Sequence, residues 1–455
     1  MTGIADKGQS VGKDKEGRVV FLQGGLPGDI MDVRILRRRK GIWQGIPERM
    51  IKASPDRIEA PCQHFADCGG CKWQDLEYGA QLVQKELVVR NAMQRIAKIH
   101  IGEFSGILGS EKIFHYRNKM EYSFSNQRWK TKKEVQLDTQ IESGSALGLH
   151  PPRFFNKVVD IKECLLQDDL SNEIRNFVRS HAHQHELSFF DPVHHKGFLR
   201  NMILRNTKDG QWMVVVSFHH ESVTERESLL NALIETFPQI TSLHFVINEK
   251  RNDTLFDQEI ICYHGQEHIE EQLGKLRYKI RPKSFFQTNP YQAQLLYDLT
   301  KEYCALEGNE TVYDLYTGTG SIALYLADEC REVVGVEEVA DAIEDAKENA
   351  ISNQIENASF YVGDVKDVFS RELMEKHGAA DVLITDPPRG GMHEKVINSI
   401  LEGEPKRIVY ISCNPSTQAR DLHMLSKKYA VTRMRPVDMF PHTSHIENIA
   451  QLIRM

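Results

Sequence analysis

The chain has 455 residues, more than one ordinary core holds and enough for two or three domains. Its formal net charge of -7 excludes a strongly basic nucleic-acid-binding protein, so any such binding must come from local patches. It has no long apolar stretch typical of a membrane span or signal peptide, so we expect a cytoplasmic protein whose eight cysteines are reduced.

The N-terminal region reads as short strands. Residues Arg18–Leu22, Ile30–Leu36 and Trp43–Ile51 have strand-like patterns, and the turn Gly24–Gly28 follows the first of them. They predict a small β-barrel, which either binds oligonucleotides or is purely structural. The barrel carries a basic run, which either contacts nucleic acid or simply faces solvent. The run comprises Arg34, Arg37, Arg38, Arg39 and Lys40.

A long amphipathic helix and a β-rich region follow. Apolar residues at helical spacing predict a helix over Leu76–Ile96. Residues 110–280 resemble an α+β domain, with predicted strands Lys119–Ser125, Ala146–His150, Phe198–Asn206, Gln211–Phe218 and Leu243–Asn248. Aromatic and basic residues lie close together at its start, where they stack on bases or pack in the core: Tyr116, Arg117, Lys119 and Tyr122.

From about residue 308 strands and helices alternate. The predicted strands are Thr311–Tyr316, Glu332–Glu337, Ala358–Val362, Asp381–Asp386 and Arg407–Ser412, and the predicted helices are Ser321–Cys330 and Ala340–Ser352. This order indicates a doubly wound α/β sheet of the Rossmann type, whose ligand site lies at the carboxyl ends of the strands.

The first three strand ends indicate a nucleoside site. Asp314–Gly320 places two glycines between a strand and a helix, and Glu337 ends the next strand, where a carboxylate can hold both ribose hydroxyls. A dinucleotide fingerprint needs three glycines, but Ala323 and Tyr316 stand in its frame, so S-adenosylmethionine fits better than NAD. Asp364 follows the third strand, where adenine would lie. Each acid alone could be a helix cap or a surface charge.

The ends of the fourth and fifth predicted strands carry candidate catalytic residues. One continues into Asp386-Pro-Pro-Arg389 and the other into Cys413-Asn-Pro. An aromatic residue after the prolines would favour methylation of an exocyclic amine and a cysteine would favour C5 of cytosine, so Arg389 argues against both. C5 of uracil reacts only after a nucleophile has added to C6, and Cys413 is placed to supply the thiolate.

The C5 proton must then be removed by a positioned base. Glu447, in the segment Met439–Asn448, is the best candidate, and His442 and His445 are its local rivals. A lone cysteine at a strand end is more often a packing residue, but the neighbouring Asp-Pro-Pro favours catalysis by Cys413.

Taken together, five motifs resemble the RNA uracil-5-methyltransferase family, especially the branch that acts on 23S rRNA. They are Ser284–Asn289, Asp314–Gly320, Asp386–Met392, Ser412–Leu422 and Met439–Asn448. The resemblance implies that Cys413 is the nucleophile, Glu447 the base and Asp386 a carboxylate of the substrate or cofactor site. It also implies a cofactor site lined by Gln287, Tyr316, Gly318, Ser321, Glu337 and Asp364.

The resemblance also implies a four-cysteine [4Fe–4S] site. Cys62, Cys68 and Cys71 cluster around Gly-Gly, and Cys164 lies far downstream. Four thiolates could equally hold zinc, but structural zinc sites more often show two CxxC pairs, whereas three clustered ligands and a remote one are common for iron–sulfur clusters. Thiols without a metal are the third interpretation.

The N-terminal strands resemble the RNA-binding TRAM barrel, with a first strand that is shortened or missing because Met1 lies so near. The expected domains are residues 1–57, 58–280 and 281–455. The expected partner is RNA: 23S rRNA first, because enzymes acting on tRNA generally lack the barrel and the cysteines, and tRNA second. A non-catalytic RNA-binding iron–sulfur scaffold is the alternative from another class. We expect a monomer.

Overall fold

The structure is a computed structural model that describes residues 1–5, 8–39, 41–136 and 144–455. The chain forms two compact units. The first contains Met1–Pro61, Lys72–Glu111 and Gln294–Met455, and the second contains Cys62–Cys71 and Lys112–Ala293. The predicted division into three consecutive domains therefore differs from the observed one, because residues 72–111 pack with the C-terminal sheet. Within the described ranges, no helix is long and apolar enough to cross a membrane.

The N-terminal sheet has five strands in the order β1-β2-β3-β5-β4. They are β1 (Gly3–Ile4), β2 (Ser10–Lys13), β3 (Val19–Leu22), β4 (Ile30–Arg39) and β5 (Ile42–Lys52). The first strand is present, but it spans only two residues. The arginines of the basic run are exposed on the edge strand β4, and Lys40 lies outside the described residues.

The predicted long helix is α1 (Tyr78–Ala92), which continues as one π-helical turn, Met93–Ala97. It begins where the Glu77 carboxylate accepts a hydrogen bond from the Ala80 N–H at 2.9 Å. It ends at Lys98, which has a left-handed φ of 53°. The strand β6 (Ile101–Phe104), which the sequence did not predict, then joins the C-terminal sheet beside its last hairpin.

The second unit is α+β, as predicted. Its sheet has the order β13-β12-β11-β10-β7-β8-β9, and β14 pairs with β15 as a separate hairpin. The strands are β7 (Lys119–Ser125), β8 (Ala146–Leu149), β9 (Val159–Asp160), β10 (Leu199–Asn206), β11 (Trp212–Phe218), β12 (Ile240–Ile247), β13 (Ile261–Gly265), β14 (Ile269–Leu273) and β15 (Leu276–Ile280). The helices are α2 (Lys132–Gln136), α3 (Asp169–Gln184) and α4 (Val223–Thr236).

Two aromatic residues of the predicted base-stacking segment belong to the core of this unit. Tyr116 is 1% exposed and Tyr122 is 0% exposed. The Tyr122 hydroxyl accepts a hydrogen bond from the buried Arg175 at 3.1 Å. Neither ring can stack on a base, so core packing is the correct interpretation of both tyrosines.

The C-terminal region is the predicted doubly wound sheet. Its helices are α5 (Pro290–Cys304), α6 (Ser321–Leu326), α7 (Ala340–Ser352), α8 (Val365–Val368), α9 (Arg371–His377), α10 (Glu394–Gly403) and α11 (Pro415–Leu425). Its strands are β16 (Thr311–Leu315), β17 (Glu332–Glu337), β18 (Ala358–Val362), β19 (Val382–Thr385), β20 (Arg407–Ser412), β21 (Tyr429–Val437) and β22 (Glu447–Arg454). The sheet order is β18-β17-β16-β19-β20-β22-β21-β6.

The five strands β16 to β20 are parallel and largely apolar, and all of them except the edge strand β18 are mostly buried, as expected for strands covered on both faces. The strands β20 and β22 pair antiparallel, with Ser412 opposite Asn448. This pairing brings the start of β22 to the carboxyl ends of the parallel strands, where ligands bind in such sheets.

Candidate active site

Three predicted catalytic side chains lie at one edge of the sheet. Asp386 follows β19, Cys413 follows β20, and Glu447 is the first residue of β22. Because β22 pairs with β20, Glu447 is a neighbour of Cys413 although the two are far apart in the sequence. The crevice thus combines a thiol with two carboxyl groups.

Carboxyl groups in this crevice hold their protons unusually tightly. Burial raises the pKa of Asp386 to about 7, and the nearby Asp314 adds to the rise. Burial also raises the pKa of Asp314 to about 7, although the Thr317 hydroxyl donates to its Oδ2 at 2.6 Å. The pKa of Glu447 is raised well above its usual range by burial and by Asp386. A carboxyl group with so high a pKa is suited to exchange protons near neutral pH.

The charge of Arg389 opposes this effect. Burial raises the pKa of Cys413 to about 11, the carboxylates of Glu447 and Asp386 raise it further, and Arg389 lowers it. Arg389 also lowers the pKa of Glu447. The guanidinium therefore favours the thiolate and the carboxylate, which are the reactive forms of a nucleophile and a base.

The loop that carries Arg389 is fastened to the start of α11. The Arg389 carbonyl accepts a hydrogen bond from Asn414 Nδ2 at 2.9 Å and another from the Thr417 hydroxyl at 3.3 Å. Asn414 also caps α11 by accepting from the Ser416 N–H at 3.1 Å. One asparagine thus holds both the helix that follows Cys413 and the loop that follows Asp386.

Asp421 and Arg420 extend this attachment, and the sequence analysis missed both. The buried Asp421 carboxylate accepts hydrogen bonds from the Met392 N–H at 2.9 Å and from the Tyr410 hydroxyl at 2.7 Å. Arg420 donates to the Gly390 carbonyl at 3.0 Å. Both belong to the motif Ser412–Leu422, which was the available signal, but the face of a helix that a loop will cover is not apparent from the sequence of either segment.

The predicted cofactor loop is shaped by backbone geometry. Gly318 has a φ of 57°, and a Cβ added to it would meet no atom within 4 Å. Its N–H donates to Glu337 Oε2 at 3.1 Å, and the Val339 N–H donates to Oε1 at 3.1 Å. A carboxylate held by two backbone groups beside a bare glycine turn fits the ribose and methionine parts of S-adenosylmethionine.

The other predicted cofactor residues have different surroundings. Tyr316 adopts a left-handed φ of 66° at the start of the same turn. The Ser321 hydroxyl lies 2.8 Å from that of Tyr297. Asp364 caps α8 by accepting from the Lys366 N–H at 3.1 Å, so it serves as a helix cap. Gln287 belongs to the second unit, where its carbonyl accepts from Asn118 Nδ2 at 3.2 Å.

Helix α1 holds the loop that leads into Glu447. Lys85 and Asp438 form an ion pair with a 2.5 Å Nζ–Oδ1 distance, and both side chains are fully buried. The Tyr78 hydroxyl donates to the other Asp438 oxygen at 3.0 Å. One helical turn away, Gln81 Oε1 accepts from the backbone N–H of His442 at 2.9 Å. His442 therefore packs against α1. His445, the other histidine considered as an alternative to Glu447, is exposed, and its Nδ1 lies 3.2 Å from a guanidinium nitrogen of Arg389.

The four predicted cluster ligands all belong to the second unit. Burial raises the pKa of the Cys68 thiol to about 12, the Gly70 N–H that donates to its sulfur at 3.3 Å lowers it, and Cys164, Cys71 and Cys62 raise it further. The charges of the other three cysteines thus act on Cys68. As placed, however, no group of three or more His, Cys, Asp or Glu side chains in the described ranges is arranged to hold a metal ion.

A stability measurement tests the protonation of Asp314. Because its pKa is higher in the folded protein than in the unfolded chain, this carboxyl lowers the free energy of unfolding as the pH rises from about 4 to 7. Asp314→Asn has no such proton to lose, so its stability relative to wild type should increase by about 2 kcal/mol between about pH 5 and pH 8. Urea unfolding at both pH values measures this change. The exposed Asp341→Asn is the control, and an equal change in both variants would contradict the assignment.

Comparison with known proteins identifies the family. The model of the tRNA (Uracil-5-)-methyltransferase family matches residues 193–455, and that of the TRAM domain matches residues 1–43. Two relatives bear the name "Uncharacterized RNA methyltransferase". The one from Bacteroides thetaiotaomicron is 46% identical over 99% of both chains, and the one from Porphyromonas gingivalis is 47% identical over 100% of this chain and 99% of its own.

A solved structure is similar to this chain over its full length. It is the tRNA (uracil-54, C5)-methyltransferase of Pyrococcus abyssi in complex with S-adenosyl-L-homocysteine, which has a TM-score of 0.77 and 28% identity and covers 100% of this chain and 99% of its own. These matches confirm the predicted resemblance, the methyltransferase fold and the TRAM domain. The chain therefore belongs to the RNA uracil-5-methyltransferase family, whose members are S-adenosylmethionine-dependent enzymes.

Proposed function

We propose that this enzyme methylates C5 of a uridine in structured RNA through a covalent adduct between Cys413 and C6 of the base. The proximity of Cys413 and Glu447, which the pairing of β20 and β22 creates, is the observation that carries the proposal. Asp386 is the third member of the site, because its charge raises the pKa of both Cys413 and Glu447.

The reaction needs two different roles from this pair. The Cys413 thiolate forms a bond to C6 and breaks the C5=C6 double bond, which leaves an enolate that is nucleophilic at C5. S-adenosylmethionine supplies the methyl group, and Gly318, Glu337, Ser321 and Tyr316 are the residues of the first unit that would hold it. The Glu447 carboxylate then takes the C5 proton, the C5=C6 bond re-forms, and the Cys413 sulfur leaves as a thiolate.

The proposal predicts the pH dependence of the reaction. In the free enzyme the pKa of Cys413 is about 11, so its thiolate fraction rises as the pH increases. We therefore expect kcat/KM for RNA to rise about tenfold per pH unit between roughly pH 7 and 9, since kcat/KM reports the free enzyme. Initial rates at subsaturating RNA measure this slope. A flat profile over this range would contradict thiolate formation as the limiting ionisation.

The RNA substrate has two candidates. The motif resemblance favours a uridine of 23S rRNA. The Pyrococcus abyssi enzyme, whose name specifies tRNA, supports tRNA, and its match over 100% of this chain includes the barrel. The expectation that tRNA enzymes lack this barrel therefore does not apply to that relative, so the barrel does not separate the substrates.

A transfer assay distinguishes the substrates. We would incubate the enzyme and labelled S-adenosylmethionine with unmodified 23S rRNA and with tRNA transcripts, and then map any 5-methyluridine. Methylation of one rRNA uridine would support the first candidate, and methylation of tRNA alone would support the second. Transfer to neither RNA would contradict the proposed function and favour the non-catalytic scaffold.

We further propose that Cys62, Cys68, Cys71 and Cys164 hold a [4Fe–4S] cluster. The clustering of three cysteines in the sequence and the Gly70 N–H that donates to the Cys68 sulfur at 3.3 Å support this proposal, since thiolate ligands are commonly stabilised by hydrogen bonds to sulfur. The cluster would cross-link two distant segments of the second unit. Protein purified without oxygen should contain roughly four iron atoms per chain. Cys68→Ser should lose them and Cys262→Ser should keep them, whereas bound zinc in place of iron would contradict the proposal.

A further inference from the structure

The loop between β8 and β9 exposes two adjacent phenylalanines. Phe155 is 73% exposed and Phe154 is 44% exposed. Trp129, from the segment after β7, lies against Phe154 with ring centroids 5.0 Å apart. Exposed aromatic rings side by side on a protein surface usually mark an interaction site. We call Trp129, Phe154 and Phe155 the aromatic platform.

Hydrogen bonds attach the platform to the rest of the second unit. The Trp129 indole N–H donates to Asp67 Oδ1 at 3.2 Å, next to the cysteine loop. The Trp129 backbone N–H donates to the Val158 carbonyl at 2.7 Å, and Asn156 Nδ2 donates to Gln127 Oε1 at 3.1 Å. These bonds join the two segments that carry the three rings.

The loop that carries the two phenylalanines is positively charged. Residues 151–157, Pro-Pro-Arg-Phe-Phe-Asn-Lys, contain two cationic residues and no acid. Lys157 Nζ lies 5.7 Å from the centre of the Trp129 ring, and Arg153 is exposed at the tip of the loop. Within the part of the chain that the structure describes, neither cation forms an ion pair with a carboxylate. Cations interleaved with exposed rings match the backbone phosphates and base faces of single-stranded RNA.

We propose that the aromatic platform binds unpaired nucleotides of the RNA substrate by stacking. The choice of RNA rests on the proposed function, whereas the binding surface rests on the rings and cations themselves. Stacking on aromatic rings tolerates any base sequence, so this site would supply affinity for unpaired RNA, and the choice of uridine would remain with the active site.

The test measures RNA affinity without S-adenosylmethionine. Fluorescence anisotropy with a short labelled oligouridylate and with a fully paired RNA hairpin gives the two dissociation constants. The double variant Phe154→Ser/Phe155→Ser should bind the oligouridylate at least about tenfold more weakly, since a stacked base contributes about this factor or more. Its affinity for the hairpin should change little. Phe155→Trp should retain the wild-type affinity for the oligouridylate.

The matched control is Phe256→Ser. Phe256 is 72% exposed and lies between β12 and β13, at the opposite edge of the same sheet. Equal weakening by this variant, or an unchanged affinity in the double variant, would overturn the proposal; the unchanged affinity would leave a protein partner for the rings. Because most of the Phe155 side chain is exposed, the single variant Phe155→Ser should fold even if the double variant does not.

The same variants separate this inference from the proposed function. At limiting RNA, Phe155→Ser should lower kcat/KM for RNA by the same factor by which it weakens binding, whereas Phe256→Ser should leave kcat/KM unchanged. RNA binding that depends on the rings, in a wild-type protein that transfers no methyl group, would overturn the proposed function and leave the platform in place.

Discussion

Replacing Cys413 by alanine should reduce methyl transfer to RNA by about 10⁴-fold or more, which is the usual effect of removing a covalent nucleophile. Without the sulfur, nothing adds to C6 and C5 remains unreactive. Single-turnover transfer of a labelled methyl group at saturating RNA measures the loss. Cys330→Ala removes another thiol of the first unit and should retain full activity. A loss smaller than about tenfold in Cys413→Ala would contradict covalent catalysis.

A companion variant separates the two proposed roles. Glu447→Gln should still form the bond between Cys413 and C6, but it cannot remove the C5 proton. Methylated RNA should then remain attached to the protein and survive denaturation in SDS. Cys413→Ala/Glu447→Gln should form no such adduct. If Glu447→Gln releases product at the wild-type rate, a different residue is the base, and the exposed His445 would be the next candidate.

Removing Lys85 should lower the free energy of unfolding by about 3–5 kcal/mol, because Asp438 would be left as a buried charge without its partner. We therefore expect Lys85→Ala to be severely destabilised in urea unfolding followed by circular dichroism. The lost bonds also include the one from Lys85 to the Phe440 carbonyl at 3.0 Å, so the loop before Glu447 should loosen.

Two further variants test this explanation. Lys85→Met/Asp438→Leu replaces both charges with apolar groups and should recover much of the stability, since only a lone buried charge is costly. Lys366→Ala breaks the half-exposed pair with Asp364 and should change the free energy of unfolding little, because solvent screens such a pair. If Lys85→Ala lowered the free energy of unfolding no more than Lys366→Ala does, the buried pair would not be what holds the loop in place.

The order of strands and helices in the methyltransferase sheet could be predicted from the sequence. The bounds predicted for β17, α7, β18 and β20 agree with the structure residue by residue. The strands β17 and β20 are short apolar runs covered on both faces, and β18 is a short apolar run at the edge of the sheet, so each pattern is contained in the strand's own residues. The strand β21 was missed because charged residues and Pro436 interrupt it. Pro436 is tolerated there, since β6 pairs only with residues 431–434 of that strand.

Only the tertiary structure determined which aromatic side chains are buried and which are exposed. Tyr116 and Tyr122 have aromatic and basic neighbours in sequence, yet both lie in the core. By contrast, Phe154 and Phe155 are exposed, in a segment that carried no recognised motif. Whether a ring faces solvent depends on which distant strand covers it, and a local window of sequence does not contain that information.

By itself, the sequence determined the class of sheet, the strand ends that bear Asp314, Glu337, Asp386 and Cys413, and the family, because these depend on residues close together in the chain. Only the tertiary structure determined that Glu447 lies beside Cys413, because that requires β22 to pair antiparallel with β20. The attachment of Lys85 to Asp438 likewise joins residues 353 positions apart. The Lys85–Asp438 pair forms because burying both charges together costs less free energy than burying either alone, a condition that exists only in the folded chain.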